Sequence, residues 1–154
     1  MASTITKKTM TVSISEAIDL GPTDDYSNKT IFKIQNITEV SKRILTVPTH
    51  QVSVFALSSS AGAGTFASGS LKYARITNLD NANYVRLTFM SSSGGTTKNK
   101  SVFKLDPQRS FIISNDAYSG SGVGAAFDSF QSFTSVKAIS NSAACDIELY
   151  IAST

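Results

Sequence analysis

Apolar and polar residues change places at every step along much of this chain. Met10, Val12 and Ile14 alternate with Thr11, Ser13 and Ser15, and the same period of two recurs over 30–37, 43–47, 52–57, 71–79, 84–90, 101–105, 110–115, 133–139 and 145–151. Side chains on a strand point to opposite faces in turn, so this period marks strands with one buried face. No segment shows a long apolar stripe at helical spacing. Short strands at close intervals predict an all-β fold, an antiparallel β-sandwich of jelly-roll type with about eight to ten strands.

The connections are rich in Gly, Ser, Asn and Asp: GPTDDYSN (21–28), SSSAGAGTFASGS (58–70), SSSGGTTKNK (91–100) and NDAYSGSGVG (115–124). These residue types close turns, through glycine's backbone freedom and through side chains that bond their own backbone. None is long enough to separate two cores. The expected organisation is an extended N-terminal arm over 1–9 and one sandwich domain over 10–154. FKIQNI followed by RILTV echoes ARITNL followed by VRLTF, which reads as two hairpins reaching one solution, because two copies make no repeat array. Where the chain reverses between the alternating runs Ala74–Leu79 and Val85–Phe89, it carries Asn78, Asp80, Asn81 and Asn83. Oxygen side chains at alternate positions suit a hard cation, but Ala82 and Tyr84 interrupt them and no bidentate Glu follows. A turn is expected there, with no metal.

Composition narrows the chemistry. Charged residues make up 16% of the 154 residues, below the usual share of about a quarter. The formal net charge is +3, with basic residues scattered singly apart from Lys7-Lys8, Lys42-Arg43 and the pair Lys98 and Lys100, so no nucleic-acid footprint is expected. Cys145 is the only cysteine; it alternates with Ile147, Leu149 and Ile151 and reads as a small buried side chain. No apolar leader and no membrane-length apolar run is found, which predicts a chain made and kept in a cytoplasm-like compartment, with the sequons at Asn28 and Asn36 unglycosylated.

Catalytic constellations are sparse. His50 is the only histidine, too few for zinc hydrolysis and without a nucleophile setting beside it. Asp24-Asp25 lies in a turn, while Asp146 and Glu148 share one face of the last strand, most simply its solvent face. A glycosidase pair would need a cleft and aromatic platforms, and the chain has no Trp. The glycine runs AGAG (61–64) and GSGVG (120–124) match no phosphate-binding motif. No catalytic residue, cofactor or metal is expected.

Two features point to partners. Phe127, Phe130 and Phe133 recur every third residue, which places them on one side of a short helical turn, as a lid over the end of the sandwich or as an apolar seam between subunits. The arm MASTITKKT carries Lys7 and Lys8 and little core of its own. Such an arm is either an inert tail or a strand added to a neighbour's sheet, with the two lysines against acidic surface.

The order of signals in YARITNLDNANYVRLTF, then VFKLDPQRSFII, then AACDIELYIA resembles small structural proteins of tailed-bacteriophage virions. In that group a strand, an Asn-rich turn and a second strand precede a leucine, proline, serine-aromatic corner and a terminal strand. The resemblance covers roughly residues 71–151, and Gln108 stands where the corner commonly carries Gly. It implies a virion protein of the capsid decoration, or cement, kind, assembled in the host cytoplasm. Its partners would be the major capsid protein or other virion proteins. The cluster of Phe127, Phe130 and Phe133, with the three-fold positions that capsid lattices offer, predicts a homotrimer. A tail-associated receptor- or glycan-binding module is the alternative.

Overall fold

The computed structural model describes residues 6–19, 26–58, 62–67, 70–93, 96–114, 117–118, 128–129 and 133–154, with the backbone alone at 92–93, 96–100, 117–118 and 128–129. The strands are β1 (Lys8–Ile18), β2 (Tyr26–Ile37), β3 (Glu39–Val47), β4 (Val52–Ser58), β5 (Thr65–Ala67), β6 (Leu71–Asn78), β7 (Val85–Ser93), β8 (Thr96–Leu105), β9 (Ser110–Ile113), β10 (Ala117–Tyr118), β11 (Asp128–Ser129), β12 (Ser135–Ser140) and β13 (Cys145–Ser153). Among the described residues there is no helix.

Alternation places residues 10–154 in one sandwich, yet the chain sorts into two compact units, Met1–Thr38 and Glu39–Thr154. The first holds β1 and β2, which pair antiparallel with each other as a two-stranded ribbon. Strand β1 begins at Lys8, two residues inside the expected arm. The register slips between Lys8 and Met10, and opposite this slip Asn36 has a φ of 64°. Asn is among the few residues that tolerate this left-handed region, and the bulge it permits ends the regular ladder near Ile37.

The second unit is the sandwich. One sheet runs β5-β4-β12-β7-β8 and the other β3-β13-β6-β9, all neighbours antiparallel except the β4/β5 pair. Val85, Leu87 and Phe89 on β7 face Ala74 and Ile76 on β6 and Ile147, Leu149 and Ile151 on β13, and all of these are fully buried. Phe89 lies at the centre of the aromatic packing, its ring centroid 4.8 Å from Phe133, 5.4 Å from Phe103 and 5.5 Å from Phe111. Edge and tilted ring contacts at these separations are the favoured aromatic geometries.

The connections depart from the expected hairpins. Strands β6 and β7 belong to different sheets, as do β2 and β3, so both echoed stretches carry the chain from one sheet to another. Alternation records which face is buried and not which strand lies beside it. The expected loop at 91–100 is largely strand, because β7 and β8 form one long hairpin pairing Ser93 with Thr96. A run of Ser, Thr and Lys has no apolar alternation to announce it, although Thr suits strands well. Asp128–Ser129 is likewise a strand, paired with Ala117–Tyr118, so the helical turn expected to carry the three phenylalanines does not form through those positions.

Residues 62–65, at the end of the AGAG run, close a tight turn. Gly62 and Thr65 exchange two backbone hydrogen bonds of 2.9 Å, and Gly64 has a φ of 71°. A Cβ on Gly64 would meet Arg43 Nη1 at 3.3 Å. Glycine therefore serves both the backbone angle and the passage of Arg43, whose Nη2 donates to the Val54 carbonyl at 2.5 Å.

Candidate docking surfaces

Across an antiparallel pair, opposite residues share a face. The register Met10↔Ile34, Val12↔Phe32, Ile14↔Thr30, Glu16↔Asn28 and Ile18↔Tyr26 therefore puts seven apolar side chains on one side of the ribbon. The other side carries Thr11, Ser13, Ser15 and Ala17 opposite Lys33, Ile31, Lys29 and Ser27. Burial grades along the apolar side. Val12 and Ile37 are buried, Met10, Phe32 and Ile34 half-buried, and Ile14, Ile18 and Tyr26 exposed. Tyr26 leaves 65% of its surface open and Ile18 54%. A groove of about 320 Å³ lies at this end, lined by Glu16, Ala17, Ile18, Tyr26, Ser27 and Asn28, with Asn28 Nδ2 donating to Glu16 Oε2 at 3.2 Å. A two-stranded ribbon alone is marginal in water, and exposed large apolar groups add to that cost. This makes the apolar side of the ribbon a candidate docking surface.

Of the residues expected to meet partners, Lys7 and Lys8 are exposed at the base of the ribbon, Lys8 opening β1. Phe127 and Phe130 lie outside the described residues. Phe133 is buried at 4% exposure against Phe89, inside the sandwich. Tyr26 and Ile18 carried no sequence signal of their own, because Tyr26 lies within the turn-rich cluster at 21–28 and Ile18 at the ragged end of an alternating run.

One end of the sandwich is tied by a polar clasp built on the Asn78 cluster. Asn78 is fully buried; its Nδ2 donates to the Asn83 carbonyl at 2.8 Å and the Leu105 carbonyl at 3.3 Å, and its Oδ1 accepts from the Asp80 N–H at 3.0 Å. Asp80 Oδ1 in turn accepts from the N–H groups of Ala82 at 2.7 Å and Asn83 at 2.6 Å. The clasp extends to neighbouring loops through Gln108 N–H on the Asp80 carbonyl at 3.1 Å and Ser142 Oγ on Asn83 Oδ1 at 2.5 Å. This is an Asx turn that joins two sheets, with Asn78 Oδ1 and Asp80 Oδ1 each occupied by backbone donors.

Those donors, Asn83 first and then Ala82, hold the Asp80 carboxyl below its ordinary value. The folded state therefore binds this proton less readily than the unfolded chain, and the stabilisation is present above the ordinary Asp value and lost as pH falls through the lowered one. Asp80→Ala is expected to lower the melting temperature at neutral pH and to flatten its decline below about pH 4. Calorimetric scans from neutral to acid pH test this, and parallel pH profiles for wild type and variant would assign the acid limb to other groups.

On the outer face of the sheet β3-β13-β6-β9, Glu148 is held between Lys42 Nζ at 2.9 Å and Arg75 Nη2 at 2.5 Å, and Lys42 is the main cause of its lowered pKa. Asp146 accepts from Thr46 Oγ1 at 2.6 Å. The hollow beside Asp146, about 480 Å³, is lined by Ile44, Thr46, Leu79, Asp80, Ala144, Cys145 and Asp146. A general acid needs a raised carboxyl pKa; Glu148 and Asp80 are both shifted the other way. His50 is exposed in the turn after β3. Cys145 is buried, its thiol pushed up by that burial, and it donates to Ser140 Oγ at 3.3 Å. Among the described residues no three His, Cys, Asp or Glu side chains gather as a metal site.

No family model, curated protein or solved structure matches this chain.

Proposed function

We propose that this chain is a non-enzymatic structural protein of a tailed-bacteriophage virion, of the capsid decoration kind, which holds to the head exterior through contacts with the major capsid protein or its neighbours. The observation that carries the reading is the ribbon of β1 and β2, a compact unit of its own whose apolar side stays open at Ile14, Ile18 and Tyr26. An element of that kind contributes little to a monomer and much to an assembly, where main-chain edges and an apolar face find partners. The sequence resemblance over 71–151 supplies the virion context, and a jelly-roll winding of the sandwich belongs to the same proposal. Gln108 adds support. Its φ is 56°, a region that glycine enters freely, at the corner position where the resembled proteins commonly carry Gly.

One observation favours a second reading, a tail-associated glycan-binding module: the exposed ring of Tyr26 stands beside Glu16, Ser27 and Asn28, an aromatic platform with hydrogen-bonding groups at its rim. Locating the chain in intact particles by electron cryomicroscopy, together with glycan-array binding of the free protein, separates the two. Density on the head exterior and no glycan binding is the expected result. The double variant Ile18→Asp, Tyr26→Asp should then fold but leave particles undecorated. Absence from heads together with glycan binding abolished by Tyr26→Ala would replace the first reading with the second.

A further inference from the structure

Strand β1 is paired on one side only: among the described residues its single ladder partner is β2. Its other edge therefore offers a row of backbone donors and acceptors. Which strand would fit that edge is written in its own sequence. Residues 8–16 read Lys-Thr-Met-Thr-Val-Ser-Ile-Ser-Glu, a run of alternating hydroxyl and apolar residues with a cation at one end and an anion at the other.

We infer that β1 pairs antiparallel with β1 of a second copy, in the register centred on Val12, joining two ribbons into a four-stranded sheet. A two-fold axis through Val12 sets Lys8 opposite Glu16 of the second copy, Met10 opposite Ile14 and Val12 opposite Val12. On the other face it sets Thr9 opposite Ser15 and Thr11 opposite Ser13. Opposite residues share a face in such a pair, so both ion pairs form at the ends of the apolar row, while the hydroxyls meet hydroxyls. Lys8 and Glu16 are both exposed.

The register is singled out by charge. Sliding the strands by two residues either way leaves Lys8 opposite Ile14 or Ile18 and separates the ion pairs, and a slide by one residue sets apolar residues opposite hydroxyls. The free edge of β2 does not serve as well, because the only charged residues of β2 are Lys29 and Lys33: no register of β2 with itself sets opposite charges together, and the one centred on Ile31 sets the two lysines against each other. A two-fold contact of this kind is closed and self-complementary. It differs from the three-fold association expected from the phenylalanines, and it stands whether or not the virion reading holds.

Sedimentation velocity on the full chain tests the pairing. Wild type is expected to dimerise with a dissociation constant on the order of micromolar, weakened at least tenfold by Glu16→Lys or by Lys8→Glu and by high salt. Mixing the two variants should restore dimers, since each two-fold contact then regains opposite charges at both ends. Oxidising a mixture of Thr11→Cys and Ser13→Cys chains should give a cross-linked heterodimer, with neither chain cross-linking alone, and this readout leaves both charges in place should a reversal impair folding. A strictly monomeric wild type, a trimer, or folded charge variants that fail to recover on mixing would overturn the inference.

Discussion

Phe89→Ala is expected to cost the sandwich about 3–5 kcal/mol, the usual range for deleting a fully buried phenylalanine. Phe89 is wholly inaccessible on the central part of β7, and three other rings lie within 5.5 Å of its centroid. Phe103 comes from β8 beside it, Phe111 from β9 in the facing sheet and Phe133 from the segment before β12. Removing the central ring opens a cavity that these neighbours cannot all fill, because each is held by a different part of the chain. Phe89→Leu keeps most of the volume and should cost about 1–1.5 kcal/mol. Urea titrations followed by circular dichroism measure both, with an unchanged slope showing that the unfolded state is the same. A loss under about 1 kcal/mol for the alanine variant would mean that the sandwich core is loose enough to collapse around the gap.

That core was legible in the pattern of residues. Val85, Leu87 and Phe89 alternate with Arg86, Thr88 and Met90, and the first three are the fully buried set; the same holds for Ile147, Leu149 and Ile151. Partnership was not legible. The stretches 74–89 and 32–47 look like hairpins because each is two strands and a turn, but the turn at 79–84 takes the chain across the sandwich. Nothing in a period of two distinguishes a neighbour in the same sheet from one in the facing sheet. Strand Thr96–Leu105 was half seen, since only Val102, Phe103 and Leu105 carry an apolar signal.

The candidate docking surface was legible only in part. Lys7 and Lys8 drew attention by charge, and they flank the start of β1. The ribbon itself was hidden because alternation looks the same whether the apolar face ends up covered or open. Val12 and Ile14 are two residues apart in one unbroken pattern, yet one is 8% exposed and the other 36%. Phe133 shows the converse. A spacing of three joined it to Phe127 and Phe130, whereas its ring is buried in the core against Phe89.

Asn78 is the position at which the pattern and the chemistry disagree, and Asn78→Asp should be the most harmful near-isosteric change in the chain. Alternation puts this residue on the inward face with Ala74 and Ile76, and it is fully buried there. It is tolerated because all three of its bonds are made: two donated to carbonyls and one accepted from the Asp80 N–H. The aspartate substitution keeps the shape and the acceptor but replaces two donors with a carboxylate oxygen aimed at the Asn83 and Leu105 carbonyls. Burying a charge against like dipoles should cost about 3–5 kcal/mol at pH 7. Asn78→Ala, which leaves the same partners unpaired without adding a charge, should cost about 2–4 kcal/mol. The two variants separate by pH. Burial raises the folded-state pKa of the new carboxyl above its unfolded value of about 4, so the folded state holds the proton more tightly. The excess cost is therefore absent below the unfolded value and grows as pH rises toward the folded one, whereas the cost of the alanine variant relative to wild type is flat with pH. Urea unfolding of both variants and wild type at pH 4 and pH 7 gives the comparison. An aspartate variant within about 1 kcal/mol of wild type at pH 7 would mean that water or a moved loop reaches position 78, and that the clasp is not what holds the two sheets at this end.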